Sequence, residues 1–496
     1  MTDRQVAGPR RQAGLQPRDD PGHEPVLLAM IVAEIRAAGP MTFARFMELA
    51  LYHHELGFYA SGRRGPGRDA DFLTAPESHP IFGWAMARQL HEAWERLGRP
   101  LRFTVRELGA GSGALAAGIV EGLEMADSPL RQALRYRIAE RSAGRPAQVA
   151  GRLAALGAAD VLEPDDGAPI TGAVLANEVL DALPVHRVEG RADGGLDELF
   201  VDLDAAGALR AAAARPSTAA LAARLAGEGI RLAPGQRAEI CLEVDAWIAT
   251  VAAGLDRGLL LLVDYGHPAA ALYDPGRGSL LRAYVRHRVH DDPFANVGRQ
   301  DLTAHVDLTA VERAAAAAGL ALLGSTTQAA FLAGLGAGEL LASLQAAPST
   351  TIQAYLEARS ALVRMLEPGV SGRFAVLVFG RGIASEPRLS GLAFRAVAGR
   401  GGRRTMTRRP GPAPGGSVGN LTYCDRVPRI ANLPWGESPP GGGSRSCTRA
   451  RREPPPDRSA PLLLRRRSGA PACPDGLARH VAYPSEAPRA GPGTPP

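Results

Sequence analysis

The chain has 496 residues, room for two or three domains or for one large domain with appendages, and its 45% hydrophobic and 22% charged residues are proportions of a soluble protein. The leucine run at residues 259–263 is far short of the roughly 18 apolar residues that span a bilayer. Four cysteines with no CxxC pair exclude a disulfide scaffold and a structural zinc site. The formal charge of +6 is uneven: residues 385–496 hold 19 Arg against 7 acidic residues, and the rest carries a net −6.

In chain order, residues 1–23 are rich in Pro, Gly and Arg, include Asp3, Asp19 and Asp20, and lack the apolar stretch of a secretory signal. Their acids also disfavour a mitochondrial transit peptide, so a bacterial cytoplasmic location is expected, or the mitochondrial matrix if the source is eukaryotic. From residue 24 to 97 the pattern is helical. Val26, Leu27, Met30, Ile31 and Ile35 share a helical face up to the break at Gly39 and Pro40. Thr42 then N-caps a helix carrying Phe43, Phe46, Met47, Leu49 and Ala50. A Gly/Arg-rich loop leads to residues 71–77 (DFLTAPE), and a longer helix follows over 81–97.

After residue 100 strands and helices alternate. Residues 103–108 read as a strand, 109–113 as a turn, 114–123 as a helix, 135–139 as a second strand and 145–156 as a second helix. Apolar runs at 173–176, 259–263 and 374–379 read as further strands. Strands separated by helices predict an α/β fold with a mostly parallel sheet covered on both faces. Residues 189–257 form an insertion expected to hold one more strand pair plus helices. Residues 385–496 carry 19 of the 40 prolines and no apolar periodicity, so they read as a disordered tail. The expected organisation is a disordered 1–23, a helical region 24–100, an α/β domain 101–384 and that tail.

Residues 107–113 (ELGAGSG) sit where a strand ends and a helix begins. Glycines there allow a tight turn and close backbone approach to a ligand, and the helix N-terminus favours an anionic group. The G-x-G-x-G spacing of Gly109, Gly111 and Gly113 is not that of a dinucleotide fingerprint, which disfavours NAD. Glu107 precedes the turn, and Glu140 closes the second strand where it can accept hydrogen bonds from two ribose hydroxyls. Together these point to a nucleoside-type ligand. Residues 176–186 (ANEVLDALPVH) place Asn177, Glu178 and Asp181 at the end of a central strand, facing the same crevice. If the strand runs directly into a helical turn, Glu178 and Asp181 share a face, and paired carboxylates suit a cationic substrate or the removal of its proton. Asp181 fits a helix N-terminus equally well. His267 reads as a packing residue, His305 and Asp307 belong to no metal-ligand set, and Cys241 packs as a small hydrophobe. No G-x-S-x-G elbow supports a serine hydrolase.

These segments, with residues 263–267 (VDYGH), 301–306 (DLTAHV) and 327–336 (TQAAFLAGLG), resemble the MidA family of class I S-adenosyl-L-methionine (SAM)-dependent methyltransferases. The resemblance covers residues 24–382 in the family's order. It implies a seven-stranded, mostly parallel, Rossmann-like methyltransferase sheet with an N-terminal helical region and an insertion. It further implies that Gly109, Gly111 and Gly113 face the methionine part of SAM and Glu140 its ribose. Asp71, Phe72, Thr74 and Glu77 would lie on the segment covering the cofactor, and Asn177, Glu178 and Asp181 would border the methyl-accepting site. The family usually writes ELGPGRG, so Ala110 and Ser112 depart from it and a contact made by that Arg is lost. The implied activity is methylation of a protein arginine, such as one in a respiratory complex I subunit, with Glu178 and then Asp181 as proton acceptors. A SAM-binding assembly factor without turnover uses the same pocket. A nucleic-acid substrate is disfavoured by the net −6 of residues 1–384 and by the lack of an N/D-P-P-Y/F motif.

Overall fold

The computed structural model describes residues 22–60, 74–140, 144–286 and 288–394. A seven-stranded sheet is built from β1 (Phe103–Leu108), β2 (Leu134–Ala139), β3 (Leu162–Glu163), β4 (Ile170–Asn177), β5 (Leu255–Asp264), β6 (Ala321–Thr327) and β7 (Ala375–Arg381). Their spatial order is β6-β7-β5-β4-β1-β2-β3. β1 to β5 are parallel, and β7 inserts antiparallel between β5 and β6. The chain leaves β1 toward β2 and β3 on one side and returns on the other as β4, so the order reverses at β1, where open α/β sheets bind ligands.

Alternation along the central strands explains the burial. Ala173 and Leu175 of β4 enter one apolar cluster, and Val174 and Ala176 enter the other. Both faces are therefore covered, as a parallel sheet requires. Register aligns the strand ends: Leu108 pairs with Ala139 and Ala176, Asn177 with Val263, and Asp264 with Ala375. The expected strands are all present. β6 escaped the sequence reading because its side chains alternate only weakly at a largely exposed sheet edge, and β3 because it has two residues.

The N-terminal helices divide between two environments. α1 (Pro25–Ala38) and α2 (Phe43–Tyr52) pack away from the main sheet, with Leu27, Ile31, Phe43, Phe46 and Met47 in a third cluster that includes Val201 and Leu302. Thr42 caps α2, its hydroxyl accepting from the Arg45 N–H at 3.2 Å. α3 (Ile81–Arg96) instead lies against α4 (Ala114–Met125) in the layer covering the main sheet. The helices approach closely at two glycines: a Cβ on Gly83 would stand 2.6 Å from the Gly118 backbone.

The insertion is larger in strand content than expected. Strands His186–Gly190, Leu196–Leu203, Leu209–Ala214 and Arg237–Ile240 form a four-stranded antiparallel sheet, flanked by helices Ala220–Gly227 and Val244–Ala253. The alanine-rich Leu209–Ala214 is a strand despite its helix propensity, because all six of its residues pair with Glu198–Leu203 of the preceding strand. A three-stranded ribbon follows, with Arg282–Val285 between Arg288–His290 and Asp301–Thr303.

One expected boundary is corrected. The folded part continues past residue 384, because Leu389 and Leu392 are buried in the main cluster and the Gly391 N–H donates to Gln89 Oε1 at 3.2 Å. The remainder of the expected tail, 395–496, lies outside the described residues, as do 1–21. Among the described residues no single helix is long and apolar enough to cross a membrane. The bent pair Gln328–Gly334 and Ala337–Ala346 buries Phe331, Leu332 and Leu340 in the core.

Candidate active site

The turn after β1 is left-handed at each glycine, with φ of +66° at Gly109, +56° at Gly111 and +80° at Gly113, where α4 begins. It is also closely packed. A Cβ on Gly113 would lie 2.9 Å from Val149 Cγ1 on α5 (Arg145–Ala155), and one on Gly109 would lie 3.0 Å from Val179 Cγ2. The Gly111 N–H points at Glu140 Oε2, at 3.4 Å, so the turn and the end of β2 meet at one carboxylate.

Beneath the turn, Glu107 is buried and accepts from the Tyr136 hydroxyl at 2.6 Å. Desolvation pushes its carboxyl up to about 8; the Tyr136 bond works against this and the charges of Glu140 and Glu77 add to it. Ser112, which stands where the family pattern has Arg, donates to Glu77 Oε1 and accepts from Arg152 Nη1 at 2.8 Å. That hydroxyl therefore ties the glycine turn to the segment after Thr74. Thr74 is itself buried at the head of the one-turn helix Ala75–Ser78. Asp71 and Phe72 lie outside the described residues.

At the end of β4 the chain does not run straight into a helix. Glu178 takes a left-handed φ of +54°, and a short 3₁₀ turn, Leu180–Ala182, follows. The expected shared helical face of Glu178 and Asp181 is thus replaced by a kink, which still brings their charges into mutual contact. Glu178 Oε1 accepts from Asn177 Nδ2 at 3.1 Å, and the Ala75 backbone N–H also donates to Glu178. Among the described residues the buried Asn177 Oδ1 atom has no hydrogen-bond partner.

Asp264 holds this turn. Its Oδ2 accepts from the backbone N–H groups of Val179 (3.1 Å), Leu180 (2.9 Å) and Asp181 (3.3 Å), and its Oδ1 from Tyr265 (2.8 Å). The Tyr265 side chain is hydrogen-bonded to Asp181. Tyr52 donates to the Ala182 carbonyl at 2.9 Å, Tyr59 to Asp301 Oδ1 at 2.8 Å, and the Ala304 N–H to the Asp181 carbonyl at 2.8 Å.

Crowding carboxylates into a desolvated site raises their proton affinity. Burial pushes Glu178 up to about 8, with the charges of Asp181 and Asp301 adding to the rise and the Asn177 and Ala75 donors opposing it. Asp181 rises to about 6, chiefly through desolvation, against the pull of its Tyr265 bond. Asp264 lies well above the usual carboxylate range for the same reason, reinforced by Asp181 and Glu178. The result is a cluster of buried carboxyls beside the glycine turn that hold their protons near neutral pH and, once deprotonated, suit a cation that arrives with protons to lose.

Sequence reasoning singled out Glu178 and Asp181 but gave no role to Asp264, Tyr265, Tyr52, Tyr59 or Asp301. Asp264 had one usable signal, its position at the end of an apolar strand. Tyr265 shared that signal as part of the 263–267 segment; Tyr52 and Tyr59 had none. His267 stacks on His305 with ring centroids 5.4 Å apart and lies 2.7 Å from Arg277 Nη1. Cys241 packs among apolar residues, its thiol pushed up to about 12 by burial. Among the described residues no group of three His, Cys, Asp or Glu is arranged to hold a metal ion.

The sheet order and the glycine turn at its reversal define a class I methyltransferase fold. Residues 85–326 match the family described as "Putative S-adenosyl-L-methionine-dependent methyltransferase". A Burkholderia thailandensis protein solved with S-adenosyl-homocysteine bound is 35% identical, superposes with a TM-score of 0.67, and is matched over 74% of this chain and 95% of its own. Mitochondrial proteins named protein arginine methyltransferase NDUFAF7 are also similar. The Drosophila melanogaster homolog is 28% identical over 62% of this chain and 74% of its own, and the human protein 28% over 64% and 75%. The chain belongs to the MidA-like family of SAM-dependent methyltransferases.

Proposed function

We propose that this enzyme is a protein arginine N-methyltransferase acting on a subunit of respiratory complex I or a similar protein, in the bacterial cytoplasm or, in a eukaryotic cell, in the mitochondrial matrix. The observation that carries the reading is the desolvated pair Glu178 and Asp181 beside the glycine turn. The names of the mitochondrial relatives support the substrate class.

The residues present fit the cofactor. Left-handed glycines leave room for close backbone approach, the Glu140 carboxylate is aimed at the same turn, and Asn177 Oδ1 is a buried acceptor in want of a donor. Gly109, Gly111 and Gly113 would hold the methionine end, Glu140 the ribose, and Glu107, Asn177 and Thr74 would complete the walls. When bound, SAM supplies an electrophilic methyl group on a positively charged sulfur.

The chain's own contribution is placement and proton transfer. A guanidinium is fully protonated near neutral pH, its pKa being above ~12, so it is a poor nucleophile until a proton is drawn away. Glu178 Oε2 or Oε1 accepts that proton, which its raised affinity favours. Asp181, oriented by Tyr265, holds the positive charge in place, and Asp264 fixes the turn carrying both. Holding nucleophile and electrophile in line can supply up to ~7–11 kcal/mol of the barrier.

Incubating the purified chain with tritium-labelled SAM and a lysate lacking the endogenous enzyme tests this. Label is expected in a discrete protein, on arginine after acid hydrolysis. Label on lysine, on carboxylates or on RNA would overturn the arginine reading.

A further inference from the structure

The ribbon formed by Arg282–Val285 and Asp301–Thr303 stands against the Glu178–Asp181 turn. The Ala304 N–H bonds to the Asp181 carbonyl at 2.8 Å and pins the two together. In this antiparallel pair Tyr284 lies opposite Asp301 and Arg282 opposite Thr303, so these four side chains share one face. Leu302 and Ala283 occupy the other face and are buried against the N-terminal helices. Tyr59 reaches in from beyond α2, stacks on Tyr52 with centroids 5.4 Å apart, and orients the Asp301 carboxylate by a 2.8 Å bond. Beside Asp301 on that face, Thr303 is only 3% exposed and its hydroxyl has no hydrogen-bond partner among the described residues. A buried hydroxyl of this kind is costly unless a ligand or water completes it.

We propose that Asp301 is a specificity-determining residue of the acceptor pocket, binding the edge of the guanidinium that Glu178 does not reach, with Thr303 completing that wall. The inference rests on the arginine reading above. A guanidinium carries five N–H donors in a rigid planar fork, more than one carboxylate can take, so carboxylates on two walls match its two edges. A lysine ammonium is a compact point charge with three donors and gains little from a second wall. The ribbon thereby discriminates arginine from lysine, while Glu178 handles the proton.

The test uses the full chain, SAM and two probes, acetyl-Gly-Gly-Arg-Gly-Gly amide and its lysine counterpart, with methyl transfer followed by mass spectrometry. In the wild type the arginine peptide is expected to be methylated and the lysine peptide not. Asp301→Asn is expected to raise KM for the arginine peptide about tenfold or more, the equivalent of ~1.4 kcal/mol, with kcat falling less than about threefold. Asp301→Glu is expected to recover part of the loss, and Tyr59→Phe to raise KM by a smaller factor. S-adenosyl-homocysteine affinity is expected to stay within about twofold in all three, which a general loosening of the fold would not allow. An unchanged KM in Asp301→Asn reduces Asp301 to a strut for Tyr59 and overturns the inference while the arginine reading stands. If Asp301→Asn does not fold, an unchanged KM in both Asp301→Glu and Tyr59→Phe overturns it. Wild-type transfer to neither peptide, or to lysine alone, removes the arginine reading and this inference with it.

Discussion

In the proposed mechanism Glu178 is the proton acceptor, and its surroundings set when that carboxyl can work. It must be deprotonated to accept a proton, and in the free enzyme its affinity is pushed up to about 8. The expected kcat/KM therefore rises with pH from 6 toward 9, with an apparent midpoint near that value, measured by initial rates at saturating SAM. Glu178→Gln is expected to lower kcat by about a hundred- to ten-thousand-fold and to flatten the pH profile, with SAM binding by calorimetry preserved. Retained turnover in that variant would remove Glu178 from the mechanism. Asp264 has a different role: with four backbone N–H groups bonded to its oxygens, it shapes the turn that presents Glu178 and Asp181.

At the level of elements, two close approaches carry the site. The turn between β1 and α4 places Gly113 at φ +80° against Val149, so Gly113→Ala combines left-handed strain with a clash at 2.9 Å. A cost of roughly 1–3 kcal/mol in stability is expected from such strain, together with SAM affinity reduced at least tenfold. Thermal melting with and without S-adenosyl-homocysteine separates the two effects. α3 and α4 meet at Gly83 and Gly118 with no room for a side chain, and a Cβ on Gly118 would stand 3.0 Å from the Pro80 carbonyl oxygen. Gly118→Val is expected to force the helices apart, costing about 1–3 kcal/mol, and to weaken SAM binding only through the lost fold. A melting curve identical to the wild type would contradict this packing.

For the whole molecule, the buried acids tie stability to pH. Glu107 and Glu178 are both pushed up to about 8 from a usual value near 4.5, and Asp181 to about 6 from 3.8. Between those limits the folded chain binds more protons than the unfolded one, so stability falls as pH rises. The apo-protein is expected to melt at a higher temperature at pH 6 than at pH 8.5. Glu107→Gln and Glu178→Gln should each reduce that slope, and a slope of opposite sign would refute the assignment. All seven strands end by Arg381, and the last buried contacts come from Leu389 and Leu392. A chain ending at residue 394 is accordingly expected to keep its fold and its methyl transfer. Loss of transfer on that truncation would favour a substrate recruited by the arginine-rich end.

Periodicity and turn chemistry are local properties, and they carried a good part of this protein. The alternation in β4, the break at Gly39 and Pro40, the Thr42 cap and the glycine turn each depend on residues within a few positions of one another. The strand ends put Glu140, Asn177, Glu178 and Asp181 at one edge of the sheet. The kink at Glu178, the four-stranded insertion and the packed residues 385–394 were decided in three dimensions, by pairing and burial that propensity does not encode. The same holds for the far wall of the pocket. Tyr59 and Asp301 stand 242 positions apart, and no spacing rule links two side chains whose meeting depends on a ribbon docking against a helix. Local sequence sets which residues can end a strand or cap a helix, but only the register among strands sets which of those ends lie together, and with it the burial that raises the proton affinity of Glu178.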